Sequence, residues 1–369
     1  KGIDLTAAKS VFDNPSATVE DIKQAIADLK QAISNAASPS TPTNLAGSYL
    51  INPTFDEGAG SEKGWSLESN CQNKGNKTAA GNDSEVLWIG NPADGAFNYP
   101  FWENWRNGNL ETKMFQTMNG LPNGVYKVAL SAFVQTLASE NESKFNQYVY
   151  FNDQKFALTQ GPFKSYSTMM IIEDGNLEMG FVQTGFNNSW VGIDNAELIY
   201  YGASLDSYKY MSQALTENLE EELLGKLYKQ SYLDDVNAVI NEVNAATSIE
   251  EALAAYEKTK TTYNALMENV NAYQQLQERN DYYSNAVWDK EYGGDDDLYD
   301  LTEEIKGMLD ECAMTTEEVN AMLAKLEETA RTARENQLEA PADVTDFITN
   351  PTFTNASGKS YFIRWNVTK

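Results

Sequence analysis

The sequence predicts a multidomain chain of β plus α character: an antiparallel β-sandwich of the jelly-roll class, followed by an α-helical bundle. Three observations lead there. Between Leu50 and Tyr201 the chain runs in short aromatic and β-branched stretches separated by Gly, Asn and Pro, as strands joined by turns do. From Ser204 onward apolar residues return every three or four positions, the period of a helix with one buried face. Finally, "LINPTF" at 50–55 returns as "ITNPTF" at 348–353 with matching flanks: "TVEDIKQAIADLKQA" (18–32) aligns with "TTEEVNAMLAKLEET" (315–329), and "DLTAAKSVFD" (4–13) with "DLTEEIKGML" (300–309). A repeat this long is a whole sandwich-plus-bundle unit, not a solenoid turn of about 20–50 residues.

Taken in order, residues 1–40 read as the end of a preceding helical bundle and a linker. Leu5, Ala8 and Val11/Phe12 share one face of a first helix, and Asn14-Pro15-Ser16 breaks it. Ile22, Ala25/Ile26, Leu29 and Ala32/Ile33 line a second, with Thr18 as N-cap. "SPSTPTNLAG" from Ser38 is a linker. The sandwich spans 45–203. "NPTF" is its entrance strand, with Phe55 in the core, and "EVLWIG", "KMFQTM", "VYKVALSAFVQT", "QYVYF", "TMMIIE", "LEMGFVQT" and "SWVGIDNAELIYY" supply further strands. In the longest alternating run Tyr126, Val128, Leu130, Ala132 and Val134 share a face. The bundle spans 204–340. Ser248 with Glu251 opens a long helix whose stripe runs through Leu253, Tyr256, Tyr263, Met267 and Val270. "YGGDDDLYD" breaks it, and two helices at about 298–311 and 316–335 follow, matching the first 37 residues. Residues 341–369 read as the truncated start of a second sandwich, so the chain reads as an excerpt of a longer protein.

Charge and composition exclude several functions. There are 54 acidic and 27 basic residues, a net charge of −27, and no basic patch, so nucleic acid is not an expected partner. Without histidine, His-activated nucleophiles and His-ligated zinc are absent. Cys71 and Cys312 stand far apart in segments of different character and are expected unpaired, at least one of them buried. No apolar run approaches the ~18 residues that span a bilayer, so no membrane insertion is expected within this sequence. No nucleophile elbow, phosphate loop, zinc signature or dinucleotide fingerprint occurs, and the chain is expected not to be an enzyme. The acidic run "GGDDDLYD" lacks the spacing and terminal Glu of an EF-hand and reads as a solvated turn.

The expected sandwich opens with "LINPTFDEGAGSEKGWSL" and closes with "SWVGIDNAELIY". Through Asn52, Phe55, Asp56, Glu57, Gly58, Gly64, Trp65, Asp194 and Asn195 it resembles the galactose-binding-like jelly rolls, especially carbohydrate-binding modules of the family 4, 9 and 22 type. "MFQTMNGLPNGVYKVALSAFVQ" looks like the central strand pair of related modules on large surface proteins of gut Bacteroidetes, and the bundle resembles three-helix spacers between such modules. The resemblance implies a cell-surface or extracellular setting. It also implies a structural calcium held by Asp56 or Glu57 with Asp194 and backbone carbonyls, a donor set that suits this cation. The alternative is that Asp194 only accepts hydrogen bonds from neighbouring backbone N–H groups. The second copy, "NPTFTNASG", lacks the matching acids.

Sugars are bound by aromatic rings stacked on C–H faces, with amides, carboxylates and Arg on the hydroxyls. The densest such mixture is "AFNYPFWENWRNGN" (96–109), which reads as a loop. Its candidates are Tyr99, Trp102, Glu103, Trp105 and Arg106, with Phe163 and Tyr166 as a second wall. Against this stands the tendency of Trp and Phe to be buried, the reading given to Trp65, Trp88 and Trp190. The expected function is non-catalytic binding of a polysaccharide or glycan by a repeated module, with helical spacers. The alternative is a structural or adhesion stalk that contacts protein partners and has no sugar site.

Overall fold

A computed structural model describes residues 5–57, 62–71, 73–81, 83–106, 110–136, 146–186 and 189–337, so the expected second sandwich start at 341–369 lies outside the described residues. The fold class is the expected one, a β-sandwich followed by helices. Two compact units emerge: Lys1–Leu215 with Val243–Tyr256, and Thr216–Glu242 with Glu257–Lys369.

The first unit begins with α1 (Thr6–Phe12) and α2 (Val19–Ala36). Thr18 caps α2 as expected: its hydroxyl accepts the Asp21 N–H at 3.1 Å while Asp21 returns a bond to the Thr18 N–H at 2.9 Å. After β1 (Thr43–Asn44) and the short α3 (Ala46–Tyr49) come the two sheets. One contains β3 (Lys74–Lys77), β4 (Phe101–Arg106), β11 (Ser189–Gly202), β6 (Gly124–Thr136) and β9 (Gly161–Ile172) in that order, with β1 also paired to β11. The other runs β2 (Ser66–Ser69), β5 (Leu110–Asn119), β10 (Asn176–Phe186), β7 (Asn146–Phe151), β8 (Gln154–Ala157). Every pairing is antiparallel.

The alternation of β6 is realised as written. Tyr126, Val128, Leu130, Ala132 and Val134 are fully buried in the core between the sheets, with Met114, Val149, Phe181 and Ile193. Three expectations change. "NPTF" is not a strand but a tight turn in which Asn52 (φ 52°) and Phe55 (φ 51°) adopt the left-handed conformation; Phe55 is still a core residue, stacked on Trp65 at 4.8 Å. "EVLWIG" lies in a helix, α4 (Asp83–Ile89), ended by Gly90 at φ 92°. A helix of about two turns anchored by Ile89 is too short to repeat a buried position, so its sequence shows no helical period to distinguish it from a strand.

The third change concerns "FWENWR", which is strand β4 rather than loop. Its first two residues are aromatic because both faces are covered there. Trp102 points into the sandwich core, while Phe101 faces outward into a second cluster with Ile89, Phe97, Phe133 and Phe163. Phe97 stacks on Phe163 at 4.4 Å, so Phe163 is a core residue of this cluster and not a ligand wall. Gly192 on β11 makes room for the cluster: a Cβ there would lie 2.2 Å from the Phe133 ring. Cys71 is buried and Cys312 half-buried, both unpaired. Helix α5 (Leu205–Thr216) packs through Tyr208 and Met211 on Val125 and Tyr201.

The second unit is helical: α6 (Leu219–Leu223), most of α7 (Gln230–Ala245), the long α8 (Ile249–Ala286) from Glu257, α9 (Asp296–Glu311) and α10 (Thr316–Asn336). Tyr273, Leu276, Tyr283 and Val287 pack against Leu298, Leu301 and Ile305 of α9 and Val319 and Leu326 of α10. Thr315 and Glu318 form a capping box at the start of α10. Ser248 does accept the Glu251 N–H, but the Glu251 carboxylate takes the Thr247 N–H instead of closing a box. Among the described residues no helix is long and apolar enough to cross a membrane.

Candidate functional site

The structure disperses the candidates of 96–109. Trp102 is fully buried between the sheets and is removed as a ligand contact: alternation along β4 sends it inward, opposite Ile193. Glu103 and Trp105 point to the other face. Trp105 is 53% exposed. Glu103 is half-buried and accepts a 2.7 Å bond from the Trp190 indole. Burial raises its carboxyl pKa, opposed by that bond and by Lys77. Tyr99 packs edge-on against Phe97 at 5.5 Å, and its buried hydroxyl has no partner among the described residues. Burial raises its pKa, and the charges of Glu85 and Glu103 add to this. Arg106 ends β4 opposite Ser189; its side chain lies outside the described residues. Trp65 is core as expected, and Trp190 packs edge-on to Phe133 at 4.7 Å. Trp88, on α4, is 46% exposed rather than packed. Tyr166 is half-buried against the core.

The three candidate metal ligands differ in their surroundings. Asp194 is wholly buried; its Oδ2 accepts the Asn98 N–H at 2.7 Å, and Oδ1 has no hydrogen-bond partner among the described residues. Its pKa is pushed up to about 7, chiefly by burial, with the Asn98 and Asn195 N–H groups opposing and the charge of Asp56 adding less. Asp56 is therefore within electrostatic reach. Glu57 is drawn aside by Lys63, 2.6 Å from its Oε2. An orphaned, buried carboxylate oxygen with a second acid close by fits a hard cation. The residues present would hold it through Asp194 and Asp56, not Glu57, with backbone oxygens completing the shell. Among the described residues there is no group of three or more acidic, Cys or His side chains positioned for a metal.

A further surface site lies on the outer face of the five-stranded sheet. The registers set its rows. Glu68, Lys113, Val182, Tyr148 and Ala157 lie side by side on β2, β5, β10, β7 and β8. The next row is Ser66, Phe115, Gly180, Tyr150 and Lys155. Five strands at about 4.8 Å spacing give a track roughly 19 Å across. An open groove of about 560 Å³ runs over part of it, lined by Glu68, Lys113, Val182 and Tyr148 of the first row, Tyr150 and Lys155 of the second, and Asn70, Glu111 and Asn152. In the second row Gly180 leaves no space for a side chain, since a Cβ there would sit 2.2 Å from the Met114 carbonyl oxygen and 2.8 Å from the Phe115 Cβ.

The aromatic and charged groups of the groove hold one another in place. Lys113 Nζ lies 4.1 Å from the Phe115 ring centroid and 3.1 Å from Glu178 Oε1, and the Tyr150 hydroxyl donates to the same oxygen at 2.8 Å. Lys155 Nζ sits 4.7 Å from the Tyr148 ring centroid. Burial works to raise the Glu178 pKa, but the bonds from Tyr150 and Lys113 outweigh it and hold the carboxylate ionised. Burial and the Glu178 carboxylate push the Tyr150 phenol well up, so it stays a neutral donor. The result is a shallow trough with ring faces, two cations, carboxylates and amides, suited to a ligand with both C–H faces and hydroxyls. The sequence carried one signal for it. In Gln147–Phe151, tyrosines alternate with Val149 and Phe151, which are both fully buried, so two aromatics fall on the face away from the core.

No family model matches the chain, and no curated protein matches it. Among solved structures, the TmCBM61 module in complex with beta-1,4-galactotriose is 16% identical, covering 41% of this chain and 97% of that one at a TM-score of 0.30. The CBM22-1 xylan-binding domain of Paenibacillus barcinonensis Xyn10C is 10% identical, covering 42% and 96% at 0.28. The K3 cleaved adhesin domain of Lys-gingipain from Porphyromonas gingivalis is 14% identical, covering 43% and 98% at 0.28. Likenesses at this level carry no functional argument, and the function is argued from the groove.

Proposed function

We propose that the sandwich is a non-catalytic carbohydrate-binding module whose ligand site is the groove over the five-stranded sheet. One observation carries this reading: half-buried Tyr148 and the rim of the largely buried Tyr150 line an open trough with Lys113, Lys155, Glu68, Glu111, Asn70 and Asn152, and Phe115 lies in the row alongside. Rings stack on sugar C–H faces, and Lys113, Lys155, Asn70 and Asn152 bond hydroxyls. The partner is a polysaccharide or glycan met at the cell surface or outside the cell, with the helical unit as a spacer; repetition of the module would strengthen weak sites through avidity. Retention on a panel of polysaccharide gels tests the reading. Wild type is retained on at least one gel, Tyr148→Ala is not, and no reducing sugar is released. Equal mobility of the two proteins on every gel refutes it.

Trp105, exposed on the opposite sheet, is a second contact surface on this reading, and Trp105→Ala in the same gels measures its share. A calcium ion bound by Asp194 and Asp56 would neutralise the buried carboxylate and tie the 52–57 turn to β11. A melting transition that rises with calcium in wild type but not in Asp194→Asn supports that assignment, and identical behaviour in the two proteins removes it.

A further inference from the structure

We infer that the exposed apolar face of the α1–α2 hairpin is a docking surface for an amphipathic helix of the kind α8 presents to α9 and α10. The two hairpins are related by sequence, residues 4–13 with 300–309 and 18–32 with 315–329. They also share a cap: the Thr18–Asp21 bonds repeat those of Thr315 and Glu318. Their surroundings differ at matching positions. Leu301 is 5% exposed and Leu5 55%; Val319 is fully buried and Ile22 46% exposed. Leu323 packs against the helical core, whereas Ile26 is 50% exposed. Leu326 is fully buried, and its counterpart Leu29 lies in an open groove of about 230 Å³ between α1 and α2, floored by Ala8, Val11 and Ala25.

The covered hairpin shows what the uncovered one lacks. Leu301, Ile305, Val319 and Leu326 meet Tyr273, Leu276, Tyr283 and Val287, a stripe of large apolar and tyrosyl residues from α8 into the turn after it. Phe12, 87% exposed, and Val19, 69% exposed, extend the bare face of α1–α2 beyond what isolated surface side chains require. Sequence kinship, identical capping and an apolar pattern at the same positions specify the same partner chemistry: a helix with a Tyr/Leu/Val stripe at three- and four-residue spacing. This inference does not depend on glycan binding.

The probe is a fluorescein-labelled peptide of residues 266–292 added to the full chain, read by anisotropy. Saturable binding is expected, weakened at least tenfold by the double substitution Ile22→Lys with Ile26→Lys. Those side chains are exposed, so the melting curve of the double variant should match wild type. Binding that ignores the double substitution overturns the inference. So does self-association through this face that the peptide cannot displace, because a second copy would then be the occupant. If the peptide does not bind, a chimera decides: residues 4–36 replace 300–333 within the full chain. Retention of the cooperative helical transition, and its loss when Ile22→Lys and Ile26→Lys are built into the graft, sustains the inference. Loss with the unaltered graft overturns it.

Discussion

Replacing Trp102 by Ala separates the two roles that an aromatic-rich stretch can play. The indole is fully buried in the core between the sheets, on a strand paired to β3 and β11. Truncating a buried Trp costs about 3–5 kcal/mol, because transfer free energy is lost and the cavity collapses only in part. For a domain of this size each kcal/mol moves the midpoint by roughly 2–4 °C, so a fall of about 6–20 °C is expected. Trp105 sits three residues along on the opposite face, 53% exposed, and its truncation should cost less than about 1 kcal/mol. The assay is a thermal melt of wild type, Trp102→Ala and Trp105→Ala by near-UV circular dichroism, with glycan retention measured in parallel at a temperature where all three are folded. The reasoning fails if Trp102→Ala melts within about 2 °C of wild type, since a fully buried Trp cannot be removed at so small a cost.

Two other outcomes follow from the same geometry. Gly180→Val places side-chain atoms where the Met114 carbonyl and the Phe115 Cβ already lie, so either strand β10 shifts or the ring lifts into the trough; a lowered melting midpoint and weakened glycan retention are expected together. In EDTA, Asp194 makes stability fall as pH rises. Its folded pKa of about 7 lies above the ordinary carboxyl value near 3.8, so the folded state holds the proton longer than the unfolded state does, and stability is lost between about pH 4 and 7. Urea midpoints of wild type should decline across that window while those of Asp194→Asn stay flatter. Parallel curves for the two proteins would contradict it.

How much of this was legible in the sequence depends on whether the information was local. The face of β6 could be read because one strand alternates with the core on a single side, as Val128, Leu130, Ala132 and Val134 show. The paired helices α9 and α10 were legible from their match to the first 37 residues, while the Thr315 capping box was not singled out in the sequence. Strand β4 was not, because both of its sides are buried where it begins; Phe101 and Trp102 are both apolar, so no alternation marks its start. The same density of aromatics that suggested a sugar platform is the signature of a doubly covered strand. The trough was invisible for a different reason. Glu68, Lys113 and Tyr148 are far apart in sequence and become neighbours only through the order β2-β5-β10-β7-β8, which no single segment encodes. Phe55 was placed correctly in the core from its motif, yet the left-handed turn that carries it was read as a strand.

The central claim is that the trough over the five-stranded sheet binds glycan. Calorimetric titration of the full chain with the retained polysaccharide, wild type against Tyr148→Ala, tests it most directly. The account predicts an affinity at least about tenfold weaker in the variant, about 1.4 kcal/mol, with the melting curve essentially unchanged. Equal affinity in the two proteins, or binding abolished by Trp105→Ala alone, would place the sugar on the other sheet and contradict it.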